Sequence, residues 1–369
     1  MNPTTKKIRV LIVDDSAFMR KVLHGIIAAD PQMEVAGHAK DGREAISMAE
    51  SLKPDVITMD INMPHLDGLQ ATEHIMSQNP CPIVVVSSES RDGAASTLIA
   101  LELGAIDFVS KPSSGIDLDM KSVADDMNRK LKMAAKVRVI RTAARPKLRA
   151  PDQHSVAARA ETSSEGSAGN GSRFPIVIIA ASTGGPATVM QLAAAFPADF
   201  PAAIVLVQHM PPTFTSQYAI QLADVTEIEV KEAEANETVR PGTLYVCPGS
   251  HHLRISSLGR IALDDGPRIA GYRPCADVTM ETAANWAGAM TVGIVLTGMG
   301  NDASRGAQAI RAAGGIVIAQ DEATSVIFGM PAEAIKTGAV NQILALDQIF
   351  PVTDKHVREL TRSLQATLR

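Results

Sequence analysis

The 369-residue sequence is poor in cysteine, in aromatic side chains and in net charge. Its three cysteines, Cys81, Cys247 and Cys275, lie far apart and form no Cys-x-x-Cys pair, which excludes a disulfide framework and favours a reducing compartment. Aromatic residues make up 3% of the chain, which argues against modules that stack nucleic-acid bases on rings. The net charge of −5 gives no overall attraction for nucleic acid.

Long apolar runs are missing as well. The first ten residues, MNPTTKKIRV, lack the apolar core of a signal peptide, and no run approaches the length of a membrane span. We therefore expect a cytoplasmic protein with no direct membrane insertion. The apolar content of 46% is enough to fill a core, and the length suits two domains.

Short apolar runs alternate with helix-like segments in the first part of the chain. The runs are IRVLIV, MEVAGHA, DVITM, PIVVVS and AIDFVS, and none of them alternates in polarity, which is typical of parallel strands buried on both faces. Five such units predict an α/β fold, a doubly wound (βα)5 domain that we place at residues 6–138.

Residues 139–173 have a different composition. This segment has little aliphatic content and becomes rich in Ser and Gly towards its end. It cannot bury enough apolar surface to order itself, so we predict a flexible linker.

The alternation of strands and helices resumes at Phe174. The runs PIVIIA, AAIVLVQ, TVGIVLTG and GGIVIAQ predict a second doubly wound α/β domain over residues 174–369, with a mostly parallel sheet. Three short segments between them, GTLYVCPG, HHLRISS and RIALDDG, are bounded by turns and predict a β-hairpin insertion with antiparallel strands.

Polar side chains follow the strands of the first domain, where open parallel sheets form their sites. These residues are Asp14, Asp15, Asp60, Ser87 and Lys111. Clustered carboxylates repel one another and need a cation, and Mg²⁺ prefers such hard oxygen ligands. A metal beside Asp60 would bring in a phosphoryl group, whose oxygens Ser87 and Lys111 would bind. The alternative is that these aspartates only cap helices.

The order of these residues, together with the segment DINMPHLDG that starts at Asp60, resembles a response-regulator receiver domain. The resemblance implies that Asp60 is phosphorylated and that Lys111 contacts the phosphoryl group. It further implies a Mg²⁺ site formed by Asp15, Asp60 and the backbone of Asn62, with Asp14 in support. Conformational-switch positions of the family correspond to Ser87 and Phe108.

In the second domain, the segment FPIVIIAASTGGPATV places Ser182 at a predicted strand-to-helix turn, as in a partial nucleophile elbow. Two other strand ends deliver His209 and Asp302. A serine, a histidine and an acid are the parts of a hydrolytic triad, in which Asp302 orients His209 and His209 takes the Ser182 proton. Backbone N–H groups near Thr183 or Met299 would hold the oxyanion.

Several alternatives remain at this point. The loops STGGP and TGMGND suit phosphate at helix N-termini, although neither has a P-loop lysine or completes GxGxxG. Asp277 rivals Asp302 as the acid, but its position favours the start of a helix. The basic run at residues 129–149 would allow contact with a DNA backbone, but we favour a basic helix end followed by a solvated linker.

The second half resembles the catalytic domain of the chemotaxis protein-glutamate methylesterases, the CheB family. The matching segments, ASTGGP, QHMPPTFT, VKEAE, CPGSHH, LTGMGND and IAQDEATSVIFGMP, occur in the family's order over roughly residues 175–339. Three departures stand out: Ala180 replaces a usual Gly, AGYRPCADV differs around its Arg-Pro, and NDASRG lacks the Gly that usually follows the acid.

The resemblance implies Ser182 as nucleophile, His209 as general base and then acid, and Asp302 as the orienting carboxylate, with no cofactor in the esterase site. The implied substrates are methyl-accepting chemoreceptors, the implied reactions are glutamate methyl ester hydrolysis and glutamine deamidation, and the implied phosphodonor is the chemotaxis histidine kinase. We expect no nucleic-acid partner. Two other classes remain as alternatives, a non-enzymatic adaptor and a DNA-binding regulator.

Overall fold

A computed structural model describes residues 6–88, 90–111, 117–137 and 174–367. The predicted linker at residues 139–173 lies outside the described residues. None of the helices within the described ranges is long and apolar enough to cross a membrane.

The first domain is a five-stranded parallel sheet with helices between its strands, as the sequence predicts. The strand order is β2-β1-β3-β4-β5, so the order reverses beside β1 and β3, where a doubly wound sheet forms its site. The elements are β1 (Ile8–Val13), α1 (Ala17–Ala28), β2 (Met33–Ala39), α2 (Gly42–Leu52), β3 (Val56–Met59), α3 (Gly68–Gln78), β4 (Ile83–Ser87), α4 (Arg91–Glu102), β5 (Asp107–Ser110) and α5 (Asp117–Ala134).

Helix starts in this domain follow local capping chemistry. The Ser16 hydroxyl accepts the Met19 N–H at the start of α1, and Asp41 accepts the Glu44 N–H at the start of α2. Asp67 forms a capping box at the start of α3. These side chains satisfy backbone N–H groups that a helix leaves unpaired, so they set where each helix begins.

The second domain is built on a seven-stranded sheet in which every neighbouring pair is parallel. The strand order is β14-β13-β12-β6-β7-β9-β8, and β10 and β11 form a separate antiparallel hairpin. The elements are β6 (Ile176–Ala181), α6 (Gly185–Ala193), β7 (Ala203–Gln208), α7 (Pro212–Ala223), β8 (Glu229–Glu232), β9 (Thr243–Val246), β10 (His252–Ile255), β11 (Ile261–Asp264), α8 (Ala276–Ala287), a 3₁₀ turn (Gly288–Met290), β12 (Thr291–Val295), α9 (Ser304–Ala312), β13 (Ile316–Gln320), α10 (Met330–Lys336), β14 (Gln342–Leu344) and α11 (Leu346–Thr367).

The predicted hairpin insertion was right for HHLRISS and RIALDDG and wrong for GTLYVCPG. The latter forms β9, a fully buried strand between β7 and β8 in the main sheet. The sequence also gave no signal for the edge strands β8 and β14. Both are short and expose part of their surface, so they lack the apolar run that marks a central strand.

The two domains pack against each other along α4 and α7. Phe108 of β5 stacks on Phe214 of α7, with ring centroids 4.2 Å apart and planes within 12°. Gln221 Nε2 donates to the Ala95 carbonyl, 3.5 Å away, across the same boundary. Buried apolar side chains of both domains form one continuous cluster, so the two cores are joined through this interface.

Candidate active site and phosphorylation site

Ser182 lies on a tight turn between β6 and α6. Its N–H donates to the Thr297 carbonyl, and its carbonyl accepts the Gly185 N–H at 2.8 Å and Gln208 Nε2 at 2.9 Å. Gly184 has a φ of 74°, a left-handed conformation that glycine adopts without strain. A Cβ on Gly185 would lie 2.2 Å from the Gln208 amide oxygen, so the turn requires a glycine there.

The phosphate-binding alternative fits this turn poorly. Gly184 donates its N–H to the Ile106 carbonyl of the first domain, and Gly185 donates to Ser182. Both N–H groups at the start of α6 therefore already have acceptors, whereas a phosphate cradle needs them to point at the ligand.

His209 directly follows β7, the neighbour of β6. The strand register pairs Ala181 with Gln208, so Ser182 and His209 leave adjacent strand ends, and the His209 N–H donates to the Ala181 carbonyl. His209 Nε2 lies 2.8 Å from Asp302 Oδ2. An ionised carboxylate only accepts hydrogen bonds, so Nε2 carries a proton, and in a neutral imidazole Nδ1 would then be the acceptor.

Asp302 is buried, with 2% of its surface exposed, and the described residues that donate hydrogen bonds to it all belong to the second domain. It accepts the N–H groups of Ala276 at 2.7 Å, Asp277 at 2.9 Å and Ala303 at 2.9 Å, together with Cys275 Sγ at 3.2 Å. Two of these N–H groups belong to the first turn of α8, where the helix dipole favours negative charge.

These contacts keep Asp302 ionised. Burial alone would raise its pKa, but the hydrogen bond and charge of His209 and the N–H groups of Ala276 and Asp277 outweigh burial and lower the pKa to about 2. The carboxylate therefore stays charged throughout the physiological range and holds His209 in one tautomer.

Asp277, the rival acid, has other partners. Its carboxylate accepts Arg305 Nε at 3.1 Å and the Gly306 N–H at 2.8 Å, at the start of α9. Burial raises the pKa of Asp277. The structure therefore pairs His209 with Asp302 and uses Asp277 to tie α8 to α9.

A direct hydrogen bond between the Ser182 and His209 side chains is the remaining contact that a triad requires. The described residues contain no hydrogen bond between the two side chains, although their strand ends are neighbours. Catalytic hydrogen bonds in ligand-free sites are often long and tighten only when substrate binds.

Thr183 and Met299, the predicted oxyanion residues, flank the serine on two sides. Within the described ranges their backbone N–H groups donate to no protein acceptor. Gly298, beside Met299, approaches the serine so closely that a Cβ there would lie 2.8 Å from Ser182 Cβ. The Thr183 side chain points away, because its hydroxyl donates to Asp107 of the first domain.

Sequence reasoning missed the contribution of residues 272–276. The Tyr272 ring stacks on the His209 imidazole with centroids 4.6 Å apart, while Cys275 and Ala276 donate to Asp302. The only signal was the departure of AGYRPCADV from the family pattern. Contacts of this segment with two distant strand ends depend on the tertiary structure alone.

The other two departures from the family pattern, Ala303 and Ala180, can also be examined in the structure. Ala303, where the family usually has glycine, is fully buried at a φ of 74°, a left-handed conformation that costs a non-glycine residue about 1–2 kcal/mol. Ala180 is fully buried in β6, so its extra methyl group is accommodated in the core.

The carboxylates of the first domain converge at the ends of β1 and β3. Ligand oxygens of Asp14, Asp15 and Asp60 all lie within 4.8 Å of one another. Lys111 Nζ lies 2.8 Å from Asp60 and 3.1 Å from Asp14. A single lysine opposes three carboxylates, and the hard oxygen donors fit Mg²⁺. Asn62 is exposed just beyond Asp60.

Asp60 differs from a surface carboxylate in its pKa. It is buried, with 3% of its surface exposed, and burial raises its pKa even though Lys111 acts in the opposite direction. A buried carboxylate with a raised pKa and a lysine partner is the kind of perturbed group that marks functional sites.

The two predicted switch residues have partners other than Asp60. The Ser87 hydroxyl donates to the Gly93 carbonyl at 3.2 Å and to the Ser88 carbonyl at 3.3 Å. Phe108 is 5% exposed and stacks on Phe214 of the second domain.

A short segment of the first domain contacts the Ser182 turn directly. The Ile106 carbonyl accepts the Gly184 N–H at 3.2 Å, and Asp107 accepts the Thr183 hydroxyl. Lys130 of α5 braces this segment, since its Nζ donates to the Phe108 carbonyl at 2.7 Å and lies 3.4 Å from Asp107. The contact therefore reaches both residues that follow the predicted nucleophile.

Fold and site together define a two-domain signalling hydrolase, with an acidic receiver site in one sheet and a serine, histidine and aspartate at the strand ends of the other. The family models agree: the response regulator receiver domain matches residues 10–121, and the CheB methylesterase domain matches residues 177–352. The chain belongs to the CheB protein-glutamate methylesterase family, and it is a hydrolase.

Relatives match over nearly the whole chain. The protein-glutamate methylesterase/protein-glutamine glutaminase of Pyrococcus abyssi is 45% identical over 372 residues, covering 97% of this chain and 96% of that protein. The protein of the same name from Thermotoga maritima is 42% identical over 344 residues, covering 92% and 96%. The crystal structure of the Thermotoga maritima CheB methylesterase catalytic domain is 40% identical, covers 50% of this chain and 99% of that chain, and has a TM-score of 0.49.

Proposed function

We propose that the protein is a phosphorylation-activated protein-glutamate methylesterase that hydrolyses glutamate methyl esters on methyl-accepting chemoreceptors. The observation that carries this proposal is the 2.8 Å pair of His209 Nε2 and Asp302 beside the strand end that holds Ser182. The names of the relatives support the substrate class.

Acylation begins at Ser182. His209 Nδ1 accepts the hydroxyl proton while Nε2 donates to Asp302, and the serine oxygen attacks the ester carbonyl carbon. Backbone N–H groups of Thr183 and Met299 stabilise the negative oxygen of the tetrahedral intermediate. The imidazolium then returns the proton to the methoxy oxygen, so methanol leaves and a glutamyl ester of Ser182 remains.

Deacylation repeats these roles with water. His209 Nδ1 takes a proton from the water, the hydroxide adds to the acyl carbon, and the Ser182 oxygen leaves as it regains a proton. The product is a receptor glutamate. With a glutamine substrate the same path releases ammonia in place of methanol, which accounts for a glutaminase activity.

The first domain restrains this site until it is phosphorylated. Asp107 and Ile106 bind Thr183 and Gly184, and the Thr183 backbone N–H is one of the two proposed oxyanion donors. Phe108 stacked on Phe214 adds an apolar contact at the same boundary. This arrangement supports inhibition by contact, because loosening β5 frees the turn that carries the nucleophile.

Asp60 is the proposed phosphoacceptor, and a chemotaxis histidine kinase is the proposed phosphodonor. Asp14, Asp15, Asp60 and the Asn62 backbone would hold Mg²⁺, which neutralises the charge of the incoming phosphoryl oxygens when it is bound. Lys111 binds a phosphoryl oxygen from the other side. Ser87 then turns from the Gly93 carbonyl towards the phosphoryl group, and Phe108 moves with β5.

The test is methanol release from methylated receptor membranes, with and without a small-molecule phosphodonor and Mg²⁺. Ser182→Ala should lose roughly 10⁴-fold or more in kcat, because the proposed acyl-enzyme forms on the serine oxygen. Ser216→Ala is the matched control, since its hydroxyl only donates to the Thr213 carbonyl. Full turnover by Ser182→Ala would refute Ser182 as the nucleophile and point to another one, whereas no methanol release from the wild type under any condition would favour the adaptor hypothesis.

A further inference from the structure

The structure points to a positioning residue for the general base that lies outside the proposed triad: we infer that Tyr272 holds the His209 imidazole in its reactive orientation and stabilises the imidazolium that forms during acylation. The inference rests on the proposed function, because it acts through His209.

The first observation is the ring contact. Tyr272 and His209 stack face to face with centroids 4.6 Å apart and planes within 16°. Together with the in-plane hydrogen bond from Nε2 to Asp302, this contact fixes both the tilt and the rotation of the imidazole. Nδ1 is the other nitrogen of the ring, so this arrangement directs it away from Asp302.

The tyrosine is itself firmly held. Its backbone forms two hydrogen bonds with Ile269 across a tight turn, at 2.9 and 3.0 Å, and Ala270 and Gly271 within that turn both have positive φ. Arg273 braces the same segment by donating to the Asp265 and Gly266 carbonyls. A ring on a rigid turn can orient its neighbour, whereas a mobile one cannot.

The third observation is a contact between Tyr272 and the loop that carries Asp302. Gly300 has a φ of 96°, and a Cβ there would lie 1.8 Å from Tyr272 Oη. The phenol therefore rests on the loop that carries Met299 and Asp302. Burial raises the pKa of Tyr272, so the phenol stays neutral and does not repel Asp302.

A flat aromatic face beside an imidazole matters most when the imidazole is charged. The π face of tyrosine attracts a cation, and the attraction is stronger where water is excluded. A general base must be neutral before it accepts a proton, so in the proposed mechanism His209 becomes an imidazolium as Ser182 attacks. The stabilisation therefore appears in the transition state and should affect kcat more than KM.

The experiment compares Tyr272→Leu with Tyr272→Phe in the full chain, using methanol release from methylated receptor membranes with phosphodonor and Mg²⁺ present. Leucine removes the ring and should lower kcat about tenfold, with KM within about twofold, the size expected for loss of one cation–π contact. Phenylalanine keeps the ring and should retain at least about a third of wild-type kcat.

Two further arms keep the result interpretable. His209→Ala, alone and combined with Tyr272→Leu, shows whether the tyrosine acts through the histidine, because the double variant should then be no slower than His209→Ala. Tyr272→Met also lacks a ring and replaces the leucine comparison if Tyr272→Leu does not fold; its kcat should likewise fall about tenfold.

The outcomes separate the two claims. If the wild type releases no methanol under any condition, the proposed function fails; if His209→Ala keeps full activity, the proposed role of His209 fails and the Tyr272 inference fails with it. If His209→Ala is inactive but Tyr272→Leu matches wild type, or if Tyr272→Leu changes KM alone, only the Tyr272 inference is refuted. Equal losses in kcat from Tyr272→Phe and Tyr272→Leu would also refute it, because the ring would then not be the active feature.

Discussion

Asp60 and Asp302 are both buried aspartates beyond the strand ends of parallel sheets, yet their surroundings have opposite effects. Burial raises the pKa of Asp60, which has Lys111 as its main compensating partner. The pKa of Asp302 falls to about 2 because His209 and backbone N–H groups outweigh burial. The carboxylate of Asp60 therefore has few hydrogen-bond donors around it, whereas the carboxylate of Asp302 has many.

The difference follows from what each carboxylate is proposed to do. Asp60 must react, so its oxygens have to remain available to a cation and a phosphoryl group. Asp302 must not react, so five donors fix its position and it acts only on His209. Counting the donors around a buried strand-end aspartate therefore helps to distinguish a reacting carboxylate from an orienting one.

Among the variants that test this comparison, Asp302→Asn should have the largest effect, a loss of kcat. Asparagine has one acceptor oxygen and one NH₂ donor where aspartate has two acceptor oxygens. His209 therefore loses its fixed tautomer, and kcat should fall about 10³–10⁴-fold. Methanol release by the phosphorylated enzyme measures it. Asp277→Asn is the matched control, because that carboxylate binds Arg305 and Gly306 and should leave kcat within about threefold. The reverse ranking would make Asp277 the acid.

The same variant carries a prediction about pH. The folded pKa of Asp302 lies below its ordinary value of 3.8, so its ionisation stabilises the fold above pH 4, and this contribution is lost as the pH falls through about 2. The difference in free energy of unfolding between wild type and Asp302→Asn should shrink by about 2 kcal/mol between pH 5 and pH 2. A constant difference in denaturant titrations would contradict the charged state of Asp302.

Asp60→Asn should abolish the stimulation by phosphodonor and Mg²⁺. The ratio of stimulated to unstimulated methanol release should fall to about 1 from the roughly 5–150-fold range typical of allosteric coupling. Asp55→Asn is a suitable control, since Asp55 precedes the amino end of β3 and Asp60 follows its carboxyl end. Undiminished stimulation of Asp60→Asn would refute its assignment as the phosphoacceptor.

Asp107→Ala tests how the two sites communicate. Removing the carboxylate breaks the hydrogen bond to Thr183, and one such bond is worth about 1 kcal/mol, so unphosphorylated turnover should rise about fivefold. The control, Asp126→Ala, removes a different partner of Lys130 that does not touch Thr183. Equal rates for wild type and Asp107→Ala without phosphodonor would show that this contact does not restrain the site.

Ala303→Gly should give the smallest effect. Glycine relieves the left-handed strain next to Asp302, so the free energy of unfolding should increase by about 0.5–1 kcal/mol. The control, Ala309→Gly, lies inside α9 and should instead lower stability by about 1 kcal/mol. Thermal and denaturant unfolding of both variants measures the difference, and a loss of stability in Ala303→Gly would show that the strain is absorbed elsewhere.

Much of the fold was readable because central parallel strands are continuous apolar runs. That pattern placed β1 to β7, β12 and β13 correctly, and with them the strand-end residues Asp60, Ser182 and His209. It failed for β9, which was assigned to the hairpin because its four residues resemble the neighbouring hairpin strands in length. Its partner β7 lies more than thirty residues earlier, and no local pattern reveals such a pairing.

The sequence by itself determined the two α/β domains, the order of their chemical groups and the candidate reacting residues, since hydrophobic periodicity and strand ends are local properties. Only the tertiary structure decided that His209 binds Asp302 instead of Asp277, that Tyr272 covers the imidazole, and that Asp107 contacts Thr183. These contacts join residues 63 to 93 positions apart, and only the packing of separate elements brings such residues together.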